Sequence, residues 1–163
     1  MKLSAKILLS AAMVLTASAI FAAPSKKANP PKPAIKQSEQ YRIINDYKEA
    51  QRISERTKKP IMIIFSGSDW CGWCVKLDNE VFSKKEFQNW AKDHLVVYLA
   101  DFPHRKKIPA AQKVQNDELA RKYRVRGFPT VLIVNAKGDV IAQTGYREGG
   151  PVKYVQHLKQ YVR

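Results

Sequence analysis

The only two cysteines in the 163-residue chain, Cys71 and Cys74, are separated by Gly72 and Trp73. Thiols at this spacing can close a tight disulfide or open to a dithiol. An apolar, β-branched run at 61–65 precedes them, so we expect a strand that leads into a helix beginning at Cys71. The free N–H groups and the positive dipole end of such a helix would lower the pKa of the Cys71 thiol and favour the reactive thiolate. The pattern predicts a site for dithiol–disulfide exchange.

A structural role for the two cysteines is less consistent with their spacing. A disulfide between Cys71 and Cys74 closes almost no loop and therefore constrains the unfolded chain little. Small exported domains that depend on disulfides usually contain several cysteines that close long loops. A structural zinc site needs four ligands, and the three histidines, His94, His104 and His157, are scattered along the chain. We therefore expect redox chemistry and no bound metal.

The N-terminal residues are typical of a secretory signal peptide. Lys2 and Lys6 precede an uncharged apolar run at 7–21 that ends in small residues, and we predict that the signal peptide spans 1–22. The apolar run is shorter than the roughly 20 residues that cross a bilayer, which favours cleavage over a membrane anchor. Residues 23–39 are rich in proline and lysine and predict a flexible tether. The rest, 40–163, is long enough for one domain, which we expect in the periplasm.

The chain is strongly basic, with a formal net charge of +15. Such a charge suits nucleic acid, anionic lipid or an acidic partner. The sequence contains no glycine-rich phosphate loop and no repeat of aromatic and basic residues, so we expect a solvated basic surface and no nucleic acid partner. The densest basic cluster, at 103–107, is a candidate contact for an acidic partner.

Turn, capping and hydrophobic patterns predict the order helix, strand, helix, helix, strand, helix, strand, strand, helix. Capping boxes at 46–49 and 83–86 predict the starts of two helices. Residues 135–138 lie between the last two strands and predict a hairpin. Strands that alternate with helices and end in a hairpin indicate an α/β fold with a central mixed β-sheet and helices on both faces. The cysteines would then follow the carboxyl end of a central strand, where active sites gather in such sheets.

Two motifs give the chain a resemblance to the thioredoxin family. Residues 70–74 read Trp-Cys-Gly-Trp-Cys and resemble the Trp-Cys-Gly-x-Cys active site of that family. Residues 126–130, Arg-Gly-Phe-Pro-Thr, resemble its second motif, which precedes an apolar strand. The match covers 41–163, and the segment 65–71 also resembles exported bacterial thioredoxin-like (Dsb-type) proteins. The resemblance implies a thioredoxin fold and a thiol–disulfide oxidoreductase.

The resemblance also implies three catalytic residues. Cys71 would be the nucleophile that forms a mixed disulfide with the substrate. Cys74 would be the resolving thiol, more buried because it lies one turn inside the helix. Pro129 would follow a cis peptide bond and face the cysteines, and an X–Pro bond adopts the cis form far more easily than other peptide bonds.

Further residues would contact the substrate if the resemblance holds. The cis bond would expose the backbone N–H and C=O of Phe128 to an extended substrate strand. Trp70 and Trp73 would form an apolar rim around the sulfur atoms, with Gly72 between the two sides of the motif. The Gly-Trp pair differs from the central pairs of reductive thioredoxins and strong oxidants, so the sequence leaves the redox potential open.

The chain departs from the family at the strand before the cysteines. Reductases of the family usually carry a buried aspartate there, and the matching position falls near Ile64. Asp78 lies four residues after Cys74 and on the same helical face. We hypothesise that Asp78 partly replaces the missing aspartate as a proton acceptor. The alternative is a solvated or lysine-paired carboxylate, which is the usual situation of exposed acids.

Among the members of the family that the chain resembles, the resemblance favours a protein-disulfide reductase. The interval between the two motifs leaves no room for the inserted helical domain of the family's dedicated oxidases, and we expect no dimerisation domain of the kind that its isomerases have. We therefore expect a monomer without a bound cofactor that acts on protein disulfides and receives electrons from a membrane-bound thiol donor. Two alternatives stay open: an oxidase or isomerase partner, and a non-catalytic binding module or metallochaperone.

Overall fold

The computed structural model describes residues 40–162, so the predicted signal peptide and tether lie outside the described residues. Within 40–162, no helix has the length and apolar character needed to cross a membrane. The strands are β1 (Ile43–Ile44), β2 (Ile61–Ser66), β3 (Val96–Asp101), β4 (Thr130–Val134) and β5 (Val140–Thr144). The helices are α1 (Tyr47–Thr57), α2 (Gly72–Leu77), α3 (Lys85–His94), α4 (Ala110–Lys122) and α5 (Gly150–Leu158). A π-helical turn, Asp78–Phe82, continues α2.

The five strands form one mixed sheet in the order β1-β3-β2-β4-β5. The first three strands are parallel, whereas β4 is antiparallel to β2 and β5 is antiparallel to β4. The predicted mixed sheet and the predicted hairpin are therefore confirmed. Strand β1 was not predicted, because two residues are too few to show the alternation of apolar and polar side chains that indicates a strand.

Helices cover both faces of the sheet, and all six residues of β2 are buried. Side chains alternate between the faces of a strand, so Met62 and Ile64 pack with the π-helical turn, α3 and α5. Ile61, Ile63 and Phe65 pack on the opposite face with α1 and α4. The two cores fix β2 from both sides, and the cysteines follow its carboxyl end.

One predicted capping box forms an N-cap and the other does not. The Asp46 carboxylate accepts hydrogen bonds from the backbone N–H groups of Lys48 and Glu49, at 2.8 and 3.2 Å. The prediction at Ser83 is wrong, because α3 begins at Lys85 without a side-chain cap. Ser83 still has helical backbone angles and ends the π-helical turn, so it lacks the extended conformation that an N-cap needs.

Candidate active site

The two cysteines lie at the start of α2, directly after the turn at 67–70 that leaves β2. They form a disulfide, and their Cα atoms are 5.3 Å apart. Cys71 is the N-cap of α2, and the backbone N–H of Cys74 donates to its Sγ at 3.3 Å. Cys74 is the more buried residue, with 4% of its surface exposed against 8% for Cys71. The first helical turn therefore directs a backbone donor at the Cys71 sulfur, and the same donor would stabilise a thiolate there.

Pro129 lies beside the cysteines, at the start of β4. The Phe128–Pro129 peptide bond is cis, which confirms that expectation. Strand β4 pairs with β2, the strand that leads to the cysteines, and Phe65 is opposite Thr130. Pro129 and Cys74 line the same cavity of about 320 Å³. The fold thus brings the two motifs of the sequence together.

Contacts on three sides fix Trp70, which is 43% exposed. Its Nε1–H donates to the carbonyl oxygen of Phe102 at 2.7 Å. Its ring stacks on His104 with centroids 4.6 Å apart and meets the ring of Phe128 edge-on at 5.8 Å. A Cβ at Gly67 would overlap the Trp70 indole, so glycine is needed there. These contacts connect the residue before Cys71 to both the 102–109 loop and the cis-proline loop.

Trp73 is 57% exposed and lies against different neighbours. Its ring centroid is 5.1 Å from that of Tyr146, and the Lys76 Nζ lies 5.3 Å above the Trp73 ring. The Tyr146 hydroxyl group donates to the Glu80 carboxylate at 2.7 Å. The two tryptophans predicted to form the rim are thus exposed, and each packs against different residues. The sequence did not identify Tyr146 as a neighbour of Trp73.

Asp69 connects the cysteine turn to the 102–109 loop, and sequence reasoning missed it. Its carboxylate accepts hydrogen bonds from the backbone N–H groups of His104, Arg105 and Lys106, at 2.9, 2.7 and 3.0 Å. These bonds, with that from His104 the largest cause, lower the pKa of the Asp69 carboxyl group to about 2. The residue before Trp70 therefore fixes a loop 35 to 37 positions further along the chain.

A second aspartate, Asp101, fixes the same region from the end of β3. It is 8% exposed, and its carboxylate accepts from the backbone N–H and the hydroxyl group of Ser68, at 3.0 and 2.7 Å. The Asn116 side chain on α4 donates to the Asp101 carbonyl oxygen at 2.8 Å. An aspartate that ends an apolar run is visible in the sequence, but its partner is not.

Asp78 begins the π-helical turn and lines the 320 Å³ cavity together with Cys74, Ile64 and Lys106. Desolvation by its surroundings raises the pKa of the Asp78 carboxyl group, although the residue as a whole is exposed. Within the described residues, no lysine nitrogen lies within 4 Å of this carboxylate. The structure thus places an unpaired carboxyl group at the cavity that Cys74 lines.

The three histidines lie apart from one another. His94 Nδ1 contacts a carbonyl oxygen of α3 at 2.8 Å, His104 is in the 102–109 loop, and His157 Nε2 is 3.1 Å from the Thr144 hydroxyl group. Between residues 40 and 162, no group of three or more histidine, cysteine, aspartate or glutamate side chains is arranged to hold a metal ion.

We predict that the order of the 102–109 loop depends on pH, because the Asp69 carboxylate accepts hydrogen bonds from its backbone. Because the folded pKa is lower than the unfolded value of about 3.9, the bonds stabilise the loop fully above that pH and lose this effect as pH falls towards about 2. We expect the amide-exchange protection of His104, Arg105 and Lys106 to decrease between pH 4 and pH 2. An Asp69→Ala protein should have little protection there at either pH. Hydrogen exchange followed by NMR measures both effects.

The matched control is Asp93→Ala, which removes an exposed carboxylate on α3. That variant should keep the protection of the loop and its decrease at low pH. If Asp69→Ala also leaves the loop protected at pH 6, other contacts hold it and the assignment to Asp69 is wrong.

The sequence and the fold are similar to those of known disulfide-exchange proteins. The sequence model of the thioredoxin-like domain family matches residues 47–161 of this chain. The disulfide bond reductase DsbH of Chlamydia pneumoniae is 37% identical over 117 residues, which are 72% of this chain and 70% of DsbH. The thioredoxin-related protein DsbJ of Chlamydia pneumoniae is 30% identical over 101 residues, which are 61% of this chain and 29% of DsbJ.

A solved structure, that of a DsbH oxidoreductase, has the same architecture. It superposes with a TM-score of 0.72 at 31% identity, and the match covers 86% of this chain and 94% of that one. The disulfide at the start of α2 and the cis proline at the start of β4 lie within the matched domain. The chain therefore belongs to the thioredoxin-like family and is a thiol–disulfide oxidoreductase of the Dsb type.

Proposed function

We propose that this protein is a periplasmic protein-disulfide reductase in which Cys71 attacks the substrate and Cys74 resolves the mixed disulfide. The observation that carries the proposal is the Cys71 Sγ at the N-cap of α2, where the Cys74 N–H donates to it. A donor and a helix N-terminus favour a thiolate at that sulfur. The relative DsbH, which is named as a disulfide bond reductase and shares 37% of the aligned residues, supports the reductive direction.

The first step transfers the substrate onto the enzyme. In the dithiol form, the Cys71 thiolate attacks one sulfur of the substrate disulfide. The bond between Cys71 Sγ and that sulfur forms while the substrate S–S bond breaks. The other substrate sulfur leaves as a thiolate and takes a proton from water. The product of this step is a mixed disulfide at Cys71 and one free substrate thiol.

The second step releases the reduced substrate. The Cys74 thiol loses its proton and its sulfur attacks Cys71 Sγ, which breaks the mixed disulfide. The second substrate sulfur leaves as a thiolate and is protonated. The substrate has then gained two electrons and two protons, and the enzyme holds the Cys71–Cys74 disulfide. The structure has this disulfide and corresponds to the oxidised enzyme.

Asp78 is the proposed acceptor of the Cys74 proton. Both residues line the 320 Å³ cavity, which has room for water, so the proton can move directly or through one water molecule. The raised pKa of the Asp78 carboxyl group brings it closer to that of a thiol, and a smaller difference makes the transfer less unfavourable.

The substrate strand is proposed to pair with the backbone of Phe128. Phe128 makes no backbone hydrogen bond to any other residue within 40–162, so its N–H and C=O are available to an extended peptide. Trp70 and Trp73 offer exposed apolar surface on the two sides of the cysteine motif. Gly72 is exposed between them and has no side chain that could cover Cys71.

Turnover requires a source of electrons, because each cycle leaves the Cys71–Cys74 pair oxidised. We propose a membrane-bound thiol protein as the donor, which would reduce the pair by the same exchange in reverse. Exchange moves the electron pair between sulfur atoms, so the reaction needs no bound cofactor, and a monomer suffices for it. Residues 1–22 would direct export as a signal peptide, and 23–39 would tether the domain at 40–163.

The redox potential tests the direction of electron flow. We expect equilibration with glutathione buffers to give a value nearer to that of thioredoxin, about −270 mV, than to that of strong oxidants, about −120 mV. The fraction of protein with free thiols, trapped by alkylation and measured by mass, gives the potential. A value near −120 mV would contradict reduction and support the oxidase alternative.

A further inference from the structure

A second cavity, of about 590 Å³, opens beside Trp70 and the 102–109 loop. Its apolar wall consists of Trp70, Phe102, Pro103, Ile108 and Phe128. Two of these residues also flank the proposed redox site, since Trp70 directly precedes Cys71 and Phe128 precedes the cis proline. A polypeptide that brings a disulfide to Cys71 can therefore extend into this cavity.

The cavity is formed by a loop that several contacts hold in place. Asp69 accepts from three consecutive backbone N–H groups of the loop, and the Trp70 indole donates to the Phe102 carbonyl oxygen. The rings of Phe102 and Phe128 stack with centroids 5.1 Å apart. Because the wall is ordered without a partner, a ligand would not have to order it on binding.

The rim of the cavity carries three lysines: Lys106, Lys107 and Lys113. The Lys113 ammonium group is paired with Asp117 at 3.1 Å. Within residues 40–162, no carboxylate lies within 4 Å of the ammonium group of Lys106 or Lys107. Two exposed cations at the rim are therefore free to pair with a carboxylate from outside.

The carboxylates of Asp69 and Asp101, beside this cavity, are already engaged in hydrogen bonds. Asp69 accepts from the backbone of the loop, and Asp101, which lines the cavity, accepts from Ser68. Neither carboxylate lies within 4 Å of a lysine ammonium group at the rim, and both accept hydrogen bonds from backbone N–H groups. The charge that a ligand meets at the rim is consequently that of Lys106 and Lys107.

We propose that this cavity binds the segment of a protein substrate next to its reactive cysteine, and that the segment carries an acidic and an apolar side chain. Lys106 and Lys107 pair with the carboxylate, while the aromatic wall buries the apolar neighbour. The cavity is of the size that binds whole drug-sized ligands, so it accommodates more than a single carboxylate. This assignment rests on the proposed reductase function and specifies which substrates that function prefers.

The test uses two peptides, oxidised to their symmetrical disulfides, with the sequences Phe-Glu-Cys and Phe-Gln-Cys inside an otherwise identical neutral frame. We expect the wild-type protein to reduce the glutamate peptide with a kcat/KM about 3- to 5-fold higher at low salt, which is the effect of an exposed ion pair. The ratio should fall towards one at 0.5 M salt, because salt screens the pair.

The cavity variant is Lys106→Gln/Lys107→Gln, and the control is Lys84→Gln/Lys85→Gln, an exposed lysine pair at the start of α3. Both lower the net charge by two. The cavity variant should lose the preference, and the control should keep it. The quantity compared between variants is the ratio of kcat/KM for the glutamate peptide to kcat/KM for the glutamine peptide. Comparing this ratio cancels the intrinsic reactivity of each peptide. It also cancels any effect of Lys106 on the reactivity of Cys74, which lines the smaller cavity together with Lys106.

A third peptide, Ala-Glu-Cys, tests the apolar wall in the same assay. The wild-type protein should reduce it more slowly than Phe-Glu-Cys, and Ile108→Ser should narrow that difference. Equal rates for the phenylalanine and alanine peptides would overturn the apolar part of the proposal.

Binding of the S-methylated peptides to the oxidised protein, followed by tryptophan fluorescence, repeats the comparison without redox chemistry. A wild-type protein that binds the glutamate peptide more tightly but reduces neither disulfide would contradict the reductase function and support the cavity. Equal binding and equal reduction of the glutamate and glutamine peptides would overturn the cavity proposal. So would a control variant that loses the preference as fully as the cavity variant, since the effect would then come from the overall charge.

Discussion

A Cys74→Ser protein, first reduced, is expected to accumulate as a mixed disulfide with its substrate, whereas a Cys71→Ser protein should form none. The reason lies in the positions of the two sulfur atoms. Cys71 is the N-cap of α2 and accepts the Cys74 N–H, so it is the thiol whose thiolate the helix favours. Cys74 is more buried, so we expect it to react with the mixed disulfide at Cys71 and not with the substrate directly. Non-reducing electrophoresis with native, disulfide-bonded insulin as substrate measures the trapped species.

Turnover should fall with either substitution. In the insulin reduction assay with dithiothreitol as donor, Cys71→Ser should lower the catalysed rate by more than about 100-fold, because a serine hydroxyl group is a poor nucleophile at neutral pH. The double Cys71→Ser/Cys74→Ser variant is the control for losing the internal disulfide, and it should neither trap substrate nor reduce it. Undiminished activity of Cys71→Ser would contradict the proposed catalytic role of Cys71 and favour the alternative of a non-catalytic binding module.

The fold was largely predictable because its signals are local. The run at 61–65 predicts a buried strand, and β2 is buried along its whole length. The failure at Ser83 has a physical cause: the π-helical turn extends the preceding helix, and no property of a four-residue capping box reports where the previous helix ends. Strand β1 pairs with β3 over only two residues, so long-range pairing rather than its own pattern defines it.

The cysteine pair could be predicted because its signal is also local. The residues that hold the neighbouring loop and tryptophan in place could not be predicted. Cys71 and Cys74 form a motif within four residues, and Pro129 belongs to a motif of five. Asp69 accepts from backbone groups 35 to 37 positions away, and Tyr146 reaches Trp73 from beyond β5. Any loop presents N–H groups, so the partner of an aspartate follows from the loop conformation and not from residue types.

Asp78→Asn is expected to slow the second half of the reaction by about 100-fold at neutral pH, at the lower end of what a positioned base contributes. The carboxyl group lines the cavity that Cys74 lines, and an amide cannot accept the thiol proton. Above its pKa the wild-type carboxylate accepts the proton, whereas the variant depends on solvent. The pH profile of resolution should therefore shift to higher pH in the variant, and rapid-quench decay of the mixed disulfide measures it.

The melting temperature of Asp78→Asn shows whether slower resolution of the mixed disulfide results from a destabilised fold. Desolvation raises the folded pKa of the Asp78 carboxyl group above its unfolded value, so the folded state binds the proton more tightly. Stability therefore decreases as pH rises from the unfolded pKa through the folded one, and the charge opposes folding at neutral pH. Asp78→Asn removes that charge, and its melting temperature at pH 7 should equal or exceed that of the wild type.

A slower reaction in an equally stable protein would then be chemical in origin. The matched control is Glu80→Gln, which removes a charge from the same π-helical turn but not from the cavity. Glu80 accepts from the Tyr146 hydroxyl group, so this variant tests whether disturbing the turn is sufficient to slow resolution. If both variants resolve the mixed disulfide at the wild-type rate and pH, Asp78 is a solvated carboxylate. If only Asp78→Asn shifts the profile, the carboxyl group beside Cys74 is the proton acceptor.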